Sequence, residues 1–157
     1  MTNRVHLGKS LPALYQAVVK LDQLSTEALA NADIAEGFAH LLRLRASQIN
    51  QCAFCVRQHT RDALASGESS DRVAVLAAWK ETEYFNLKER AALELVEAIT
   101  LISESQLPDA TYEQAAENLT QAEIAAIEWL AIVINTWNRI AIPSRYIVKA
   151  NTDAAAL

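Results

Sequence analysis

Leu44-Arg45-Ala46-Ser47-Gln48-Ile49-Asn50-Gln51-Cys52-Ala53-Phe54-Cys55-Val56-Arg57-Gln58-His59-Thr60-Arg61-Asp62-Ala63 contains both cysteines of a 157-residue chain. It reads as the end of one helix, a bend and the start of a second. Upstream, Asp33 is placed to cap a helix that carries Ile34, Phe38, Leu41 and Leu42 on one side and runs to Ile49. Asn50-Gln51 makes the bend. The next helix spans Cys52 to Ala65, and Ser66-Gly67 stops it as a C-terminal glycine does.

Helical signals continue in both directions. Ser10-Leu11-Pro12 opens a helix that is expected to reach about Leu24, since proline is tolerated in a first turn. Downstream, Ser69 or Ser70 caps a short helix through Val73, Leu76 and Trp79. Asn86-Leu87-Lys88-Glu89 resembles a capping box and begins a long helix with Leu87, Ala91, Leu95, Ile99 and Ile102 in line. Pro108-Asp109 marks a turn before a short polar helix around Tyr112 to Glu117. Thr120-Gln121-Ala122-Glu123 is a second capping box, and the helix behind it runs to about Ile142, where Pro143 ends it. From Ile124 to Ile134 that last helix is apolar nearly all round, which suits a central core helix or one buried at a subunit interface.

Composition agrees with this pattern. Hydrophobic residues make up 52% and glycine and proline contribute three each, which favours helices around a real core. With no repeat or linker, the whole of residues 1–157 is expected to be one all-α domain with its core at about 33–142. A net charge of −5 without a Lys/Arg block argues against nucleic acid and membrane surfaces. The Met1 end lacks the pattern of a secretory signal, and the longest apolar stretch carries Glu128 and falls short of the ~20 residues of a membrane span. The expected location is cytoplasmic, where a CxxC pair is more often catalytic or metal-binding than a structural staple.

Cys52, Cys55 and His59 stand at i, i+3 and i+7, so all three project from one helix face. Cys52 falls at the helix N-terminus, where free N–H groups and the helix dipole favour a thiolate. Arg57 and Arg61 could add positive potential, although they read first as ordinary surface cations. Three readings remain for the cluster. Both cysteines could be small buried hydrophobes beside a packed histidine. Cys52, Cys55, His59 and His40 could together bind structural zinc, although zinc signatures usually put the cysteine pair on a turn. Or the pair is a redox dithiol that closes and reopens a disulfide, with His59 moving the proton. Trp79, Trp129 and Trp137 read as core or interface anchors, and Asn138-Arg139 as a helix-end pair at a neighbouring subunit or in solvent.

The stretch from Leu44 to Ala63 resembles the core of the carboxymuconolactone decarboxylase superfamily, in particular its AhpD-like alkylhydroperoxidase branch. The likeness continues through Trp79-Lys80-Glu81, Asn86 to Leu93 and Ile134-Asn135-Thr136-Trp137-Asn138-Arg139. It implies an all-helical fold assembled as trimers or hexamers. It also implies reduction of peroxides through the cysteine pair, with Cys55 attacking the peroxide, Cys52 resolving the sulfenic acid as a disulfide, and His59 in a proton relay. No cofactor or metal is implied, and an external dithiol of lipoamide or thioredoxin type would return the electrons. Two positions depart from the family. His40 stands where a glutamate of the relay is usual, twelve residues before Cys52, and Gln51 stands where glycine is common. Imidazole can also carry protons near neutral pH, and Glu36 lies one turn earlier on the same helix. Competing functions are a decarboxylase-type reaction on a lactone acid and a non-enzymatic redox sensor or metal-binding oligomer.

Overall fold

The computed structural model describes residues 4–150, and among them every regular element is a helix. In chain order they are α1 (Leu7–Ser10), α2 (Pro12–Asn31), α3 (Glu36–Ile49), α4 (Ala53–Ala65), α5 (Ser70–Val75) running into a 3-10 turn (Leu76–Glu81), α6 (Leu87–Thr100), α7 (Ile102–Ser105), α8 (Asp109–Asn118) and α9 (Gln121–Ala141). The all-α expectation is met. Both capping boxes form, with the Asn86 side chain accepting from Glu89 N–H and the Thr120 side chain from Glu123 N–H. Ser69 is the cap of α5, accepting from Arg72 N–H.

Several boundaries differ from the sequence reading. α2 continues past Leu24 to Asn31. Asp33 does not cap α3: it takes a left-handed φ of 55° in the connection, and Ala35 holds the N-cap position without a side-chain bond. α6 ends at Thr100, so Ile102 starts a separate short helix and is exposed, as is Leu87 at the helix start. Apolar spacing alone extended that stripe one turn too far at each end.

α3 is the central element and packs against α4, α6 and α9, while α2 lies along α9. Leu41, Leu42 and Leu44 of α3 meet Leu93, Leu95 and Val96 of α6 and Ile127, Leu130 and Ile134 of α9 in one core cluster. Each such side chain contributes roughly 1.5–3 kcal/mol by leaving water. The expected solvent-free helix is only partly realised: α9 buries most of its apolar residues within the chain but leaves Trp129 and Ile132 exposed, three residues apart on one face. Trp79, by contrast, is buried and donates to Glu97, which also accepts from Arg45. No helix among the described residues is long and apolar enough to cross a membrane.

Candidate functional site

The bend between α3 and α4 sets the position of the sulfurs. Gln51 takes a left-handed φ of 56°, a conformation in which a side chain is strained and glycine is not. A glycine would take this turn without that strain. The turn leaves Cys52 extended at the N-cap of α4, so Cys55 lies one turn into the helix on the same face. Both side chains are buried, and their free thiols face each other with the sulfurs 2.7 Å apart.

The two sulfurs differ in acidity because of their place on the helix. Cys52 is held down to about 6, first by the hydrogen bond with Cys55, then by the N–H groups of Cys55 and Phe54 and the Asn138 side chain, against the opposing effect of burial. Cys55 is pushed up, first by holding the proton shared with Cys52 and then by burial. The helix start thus favours negative charge on Cys52 and the shared proton on Cys55.

Access ranks them the other way. A cavity of about 200 Å³ is lined by Cys55 and His59 together with Tyr15, Phe54, Trp137 and Tyr146, and Cys52 is not among its lining residues. Its walls are aromatic: Tyr15 packs edge-on against Trp137, and Phe54 edge-on against Tyr146. His6 stacks on the far ring, with its centroid 5.0 Å from that of Tyr146.

His59 also borders a second, wider cavity of about 450 Å³, lined by His40, Arg43, Asp62, Glu36 and Asp22 among others. The Nδ1 atoms of His40 and His59 are 3.4 Å apart. Asp62 Oδ2 lies 3.7 Å from His59 Nδ1 and 4.0 Å from His40 Nδ1, and the Asp62 carboxylate is held by two hydrogen bonds from the Gln58 amide. Burial, the Arg43 guanidinium and His40 bring His59 down to about 3. Burial and Arg43 likewise lower His40, opposed by Asp62, Glu36 and Asp22. Both imidazoles are neutral at pH 7.

The structure thus brings Cys52 and Cys55 together and puts His59 beside Cys55 on one side and His40 on the other. It separates the proposed zinc ligands: among the described residues the donor atoms that converge are those of His40, His59 and Asp62, without a cysteine. Glu36 lines the His40 cavity. The cation that acts on the histidines is the buried Arg43, which donates to Thr26, while Arg57 is turned to the Lys149 carbonyl. Asn138 was misplaced by sequence reasoning. It lies fully buried against the sulfurs and not at a helix-end surface. Tyr15, Tyr146 and Arg43 were missed altogether. The arginine between Leu42 and Leu44 was a signal available, whereas Asn138 stands in a polar run with Asn135, Thr136 and Arg139.

Fold and site together define an all-helical protein with a paired-thiol helix start set against a histidine-lined cavity. The chain belongs to the carboxymuconolactone decarboxylase family, whose sequence model matches residues 12–98. It is 34% identical to the uncharacterized protein YdfG of Bacillus subtilis (strain 168) over 142 residues, 90% of this chain and 94% of that one. Among solved structures it resembles ATU0492 of Agrobacterium tumefaciens, a protein of unknown function described as a candidate antioxidant defence protein AhpD. The TM-score is 0.87 and the identity 33%, covering 96% of this chain and 100% of the other. The apo debrominase Bmp8 shares the fold at a TM-score of 0.76 and 18% identity, over 92% of this chain and 75% of that one.

Proposed function

We propose that the protein is a thiol-dependent peroxidase that reduces small organic hydroperoxides through a Cys52/Cys55 dithiol–disulfide cycle. The observation that carries this reading is the position of Cys55: its sulfur is 2.7 Å from that of Cys52 and lines the same cavity as His59. The description of ATU0492 as a candidate antioxidant protein supports it. The small volume and aromatic walls suit a hydroperoxide with a compact apolar group.

In the reduced enzyme Cys52 is the thiolate and Cys55 holds the proton. Cys52 takes that proton as the Cys55 sulfur attacks the distal oxygen of ROOH. The O–O bond breaks, leaving Cys55 as a sulfenic acid and RO⁻ as the leaving group. RO⁻ takes a proton passed through His59, which His40 replaces from the wider cavity. The Cys52 thiol then condenses with the sulfenic acid, forming the disulfide and water. An external dithiol, of lipoamide or thioredoxin type, reduces the disulfide by exchange and is itself oxidised. No bound cofactor enters the cycle.

We further assign the exposed Trp129–Ile132 face of α9 to contact between copies of the chain in a trimer or hexamer, since an exposed tryptophan–isoleucine strip is unfavourable in water.

A coupled peroxide assay with a dithiol donor tests the cycle. Wild type is expected to turn over and to lose two hydrogens in intact mass on addition of peroxide. Cys55→Ser and Cys52→Ser are each expected to lose turnover. Full activity in both variants would refute the cycle and turn attention to a decarboxylase-type reaction, readable as carbon dioxide release from a lactone acid.

A further inference from the structure

We propose that His40, His59 and Asp62 form a binding site for one divalent transition-metal ion of the zinc type, with an open coordination position facing the 450 Å³ cavity. One of the three sequence readings of the cluster was a zinc site that included both cysteines. The fold supplies a different one, which includes a carboxylate one turn beyond His59.

The case rests first on distances. His40 Nδ1, His59 Nδ1 and Asp62 Oδ2 form a triangle with sides of 3.4, 3.7 and 4.0 Å. The centre of a circle through those three corners lies about 2.15 Å from each, against zinc–nitrogen and zinc–oxygen bonds of about 2.0–2.2 Å. In a tetrahedral site with such bonds, ligand atoms sit about 3.4 Å apart. Closing the two longer sides by a few tenths of an ångström lifts the metal out of the ligand plane and toward that geometry. Two imidazoles and one carboxylate with a free position is the donor set of open, catalytic-type zinc sites.

Carboxylates outnumber the guanidinium around the site. Asp62, Glu36 and Asp22 all line this cavity, against the single guanidinium of Arg43. Gln58 donates twice to Asp62 and fixes the carboxylate, which is the kind of outer support metal ligands usually have. The side chains of His40, His59 and Asp62 keep 16%, 15% and 32% of their surface exposed, so an ion has an entry path from solvent. A metal here would occupy the nitrogen lone pairs between which the proposed relay runs. Bound zinc is therefore expected to slow the peroxidase cycle.

The test uses full-length protein free of any histidine tag and stripped with chelator. Zinc is titrated in competition with a chromophoric chelator, with no peroxide present, so the result does not depend on the thiol cycle. One zinc per chain at micromolar affinity or tighter is expected. His40→Ala and Asp62→Ala should each weaken it at least about tenfold, and the Cys52→Ser/Cys55→Ser double variant should bind like wild type. Cobalt in the wild-type protein should give tetrahedral d–d bands without a thiolate charge-transfer band, a readout that needs no variant to fold. Affinity no tighter than millimolar, zinc lost with the cysteines and kept in Asp62→Ala, or a thiolate-to-cobalt band would each overturn the assignment.

Discussion

Asn50 at the end of α3 donates a 2.8 Å hydrogen bond to the Oδ1 of Asn138 in α9, joining the bend before the cysteines to a helix 88 residues away. The Asn138 amide donates in turn to Ser47, and its side chain also hydrogen-bonds the sulfurs. One fully buried asparagine thus holds the turn that presents Cys52 and stabilises its thiolate. Asn138→Ala is expected to raise Cys52 above its present value of about 6, because the ionised sulfur loses a donor. Leaving Asn50 short of an acceptor should destabilise the fold by about 1–3 kcal/mol. Thiolate ultraviolet absorbance against pH reads the first effect and urea denaturation the second. An unchanged thiolate midpoint would remove Asn138 from the account.

His59 gives the chain an acid sensitivity, to which the likewise lowered His40 adds in the same direction. In the unfolded chain the imidazole titrates near its ordinary 6.5, and in the fold it is held down to about 3. The unfolded state therefore binds the proton first, and the destabilisation grows as pH falls from 6.5 toward 3, with full stability above 6.5. By pH 5 this amounts to about 2 kcal/mol from the linkage relation. Denaturation at pH 7 and pH 5 in metal-free buffer should show that loss in wild type. His59→Gln, which cannot titrate, should show a smaller loss. Equal losses in both would place the acid sensitivity elsewhere.

Local physics made most of the fold readable. Two capping boxes, the proline at the start of α2 and the glycine after α4 are signals confined to a few residues, and each marks a real helix end. The bend at Asn50-Gln51 and the N-terminal place of Cys52 were readable for the same reason. Asp33 was misread because its side chain could have capped α3, whereas the chain turns through a left-handed residue there and starts the helix at Glu36. The sulfur environment was only half readable. CxxCxxxH fixes what lies on one face of one helix, but Asn138, Tyr15 and Tyr146 reach the sulfurs or their cavity from other parts of the chain. No periodicity links positions so far apart. The carboxylate near the two histidines, Asp62, was inside the quoted stretch and passed unnoticed, because its role depends on His40 approaching from α3.

The exposed face of α9 gives a prediction about assembly. Trp129 keeps 49% and Ile132 45% of their surface in the isolated chain, three residues apart on one side of the helix. Neither belongs to the core cluster, so replacing them leaves the interior intact. Trp129→Glu is expected to convert an oligomeric wild type into a smaller species, measured by light scattering after size exclusion, with an unchanged helical circular dichroism signal. A wild type that runs as a monomer at micromolar concentration, or an assembly indifferent to the glutamate, would assign the face to something other than self-association.

His40 stands where the sequence resemblance leads to the expectation of a glutamate, and the geometry says what that exchange should do. His40 Nδ1 sits 3.4 Å from His59 Nδ1, so a carboxylate introduced there would face the same nitrogen. His59 is at present held down by burial, Arg43 and His40 itself. His40→Glu replaces the imidazole with a negative charge, and both changes favour a protonated His59. The His59 midpoint should move up from about 3, and the acidic limb of the peroxidase pH profile should move with it. A proton donor of higher affinity beside the leaving alkoxide should keep or raise turnover, whereas His40→Ala should lower it by about 10²-fold if the relay runs through this position. Histidine titration by NMR and kcat against pH decide the matter together. A His59 midpoint that shifts while turnover stays the same in Glu, Ala and wild-type proteins would mean that protons reach the cysteine site by another route.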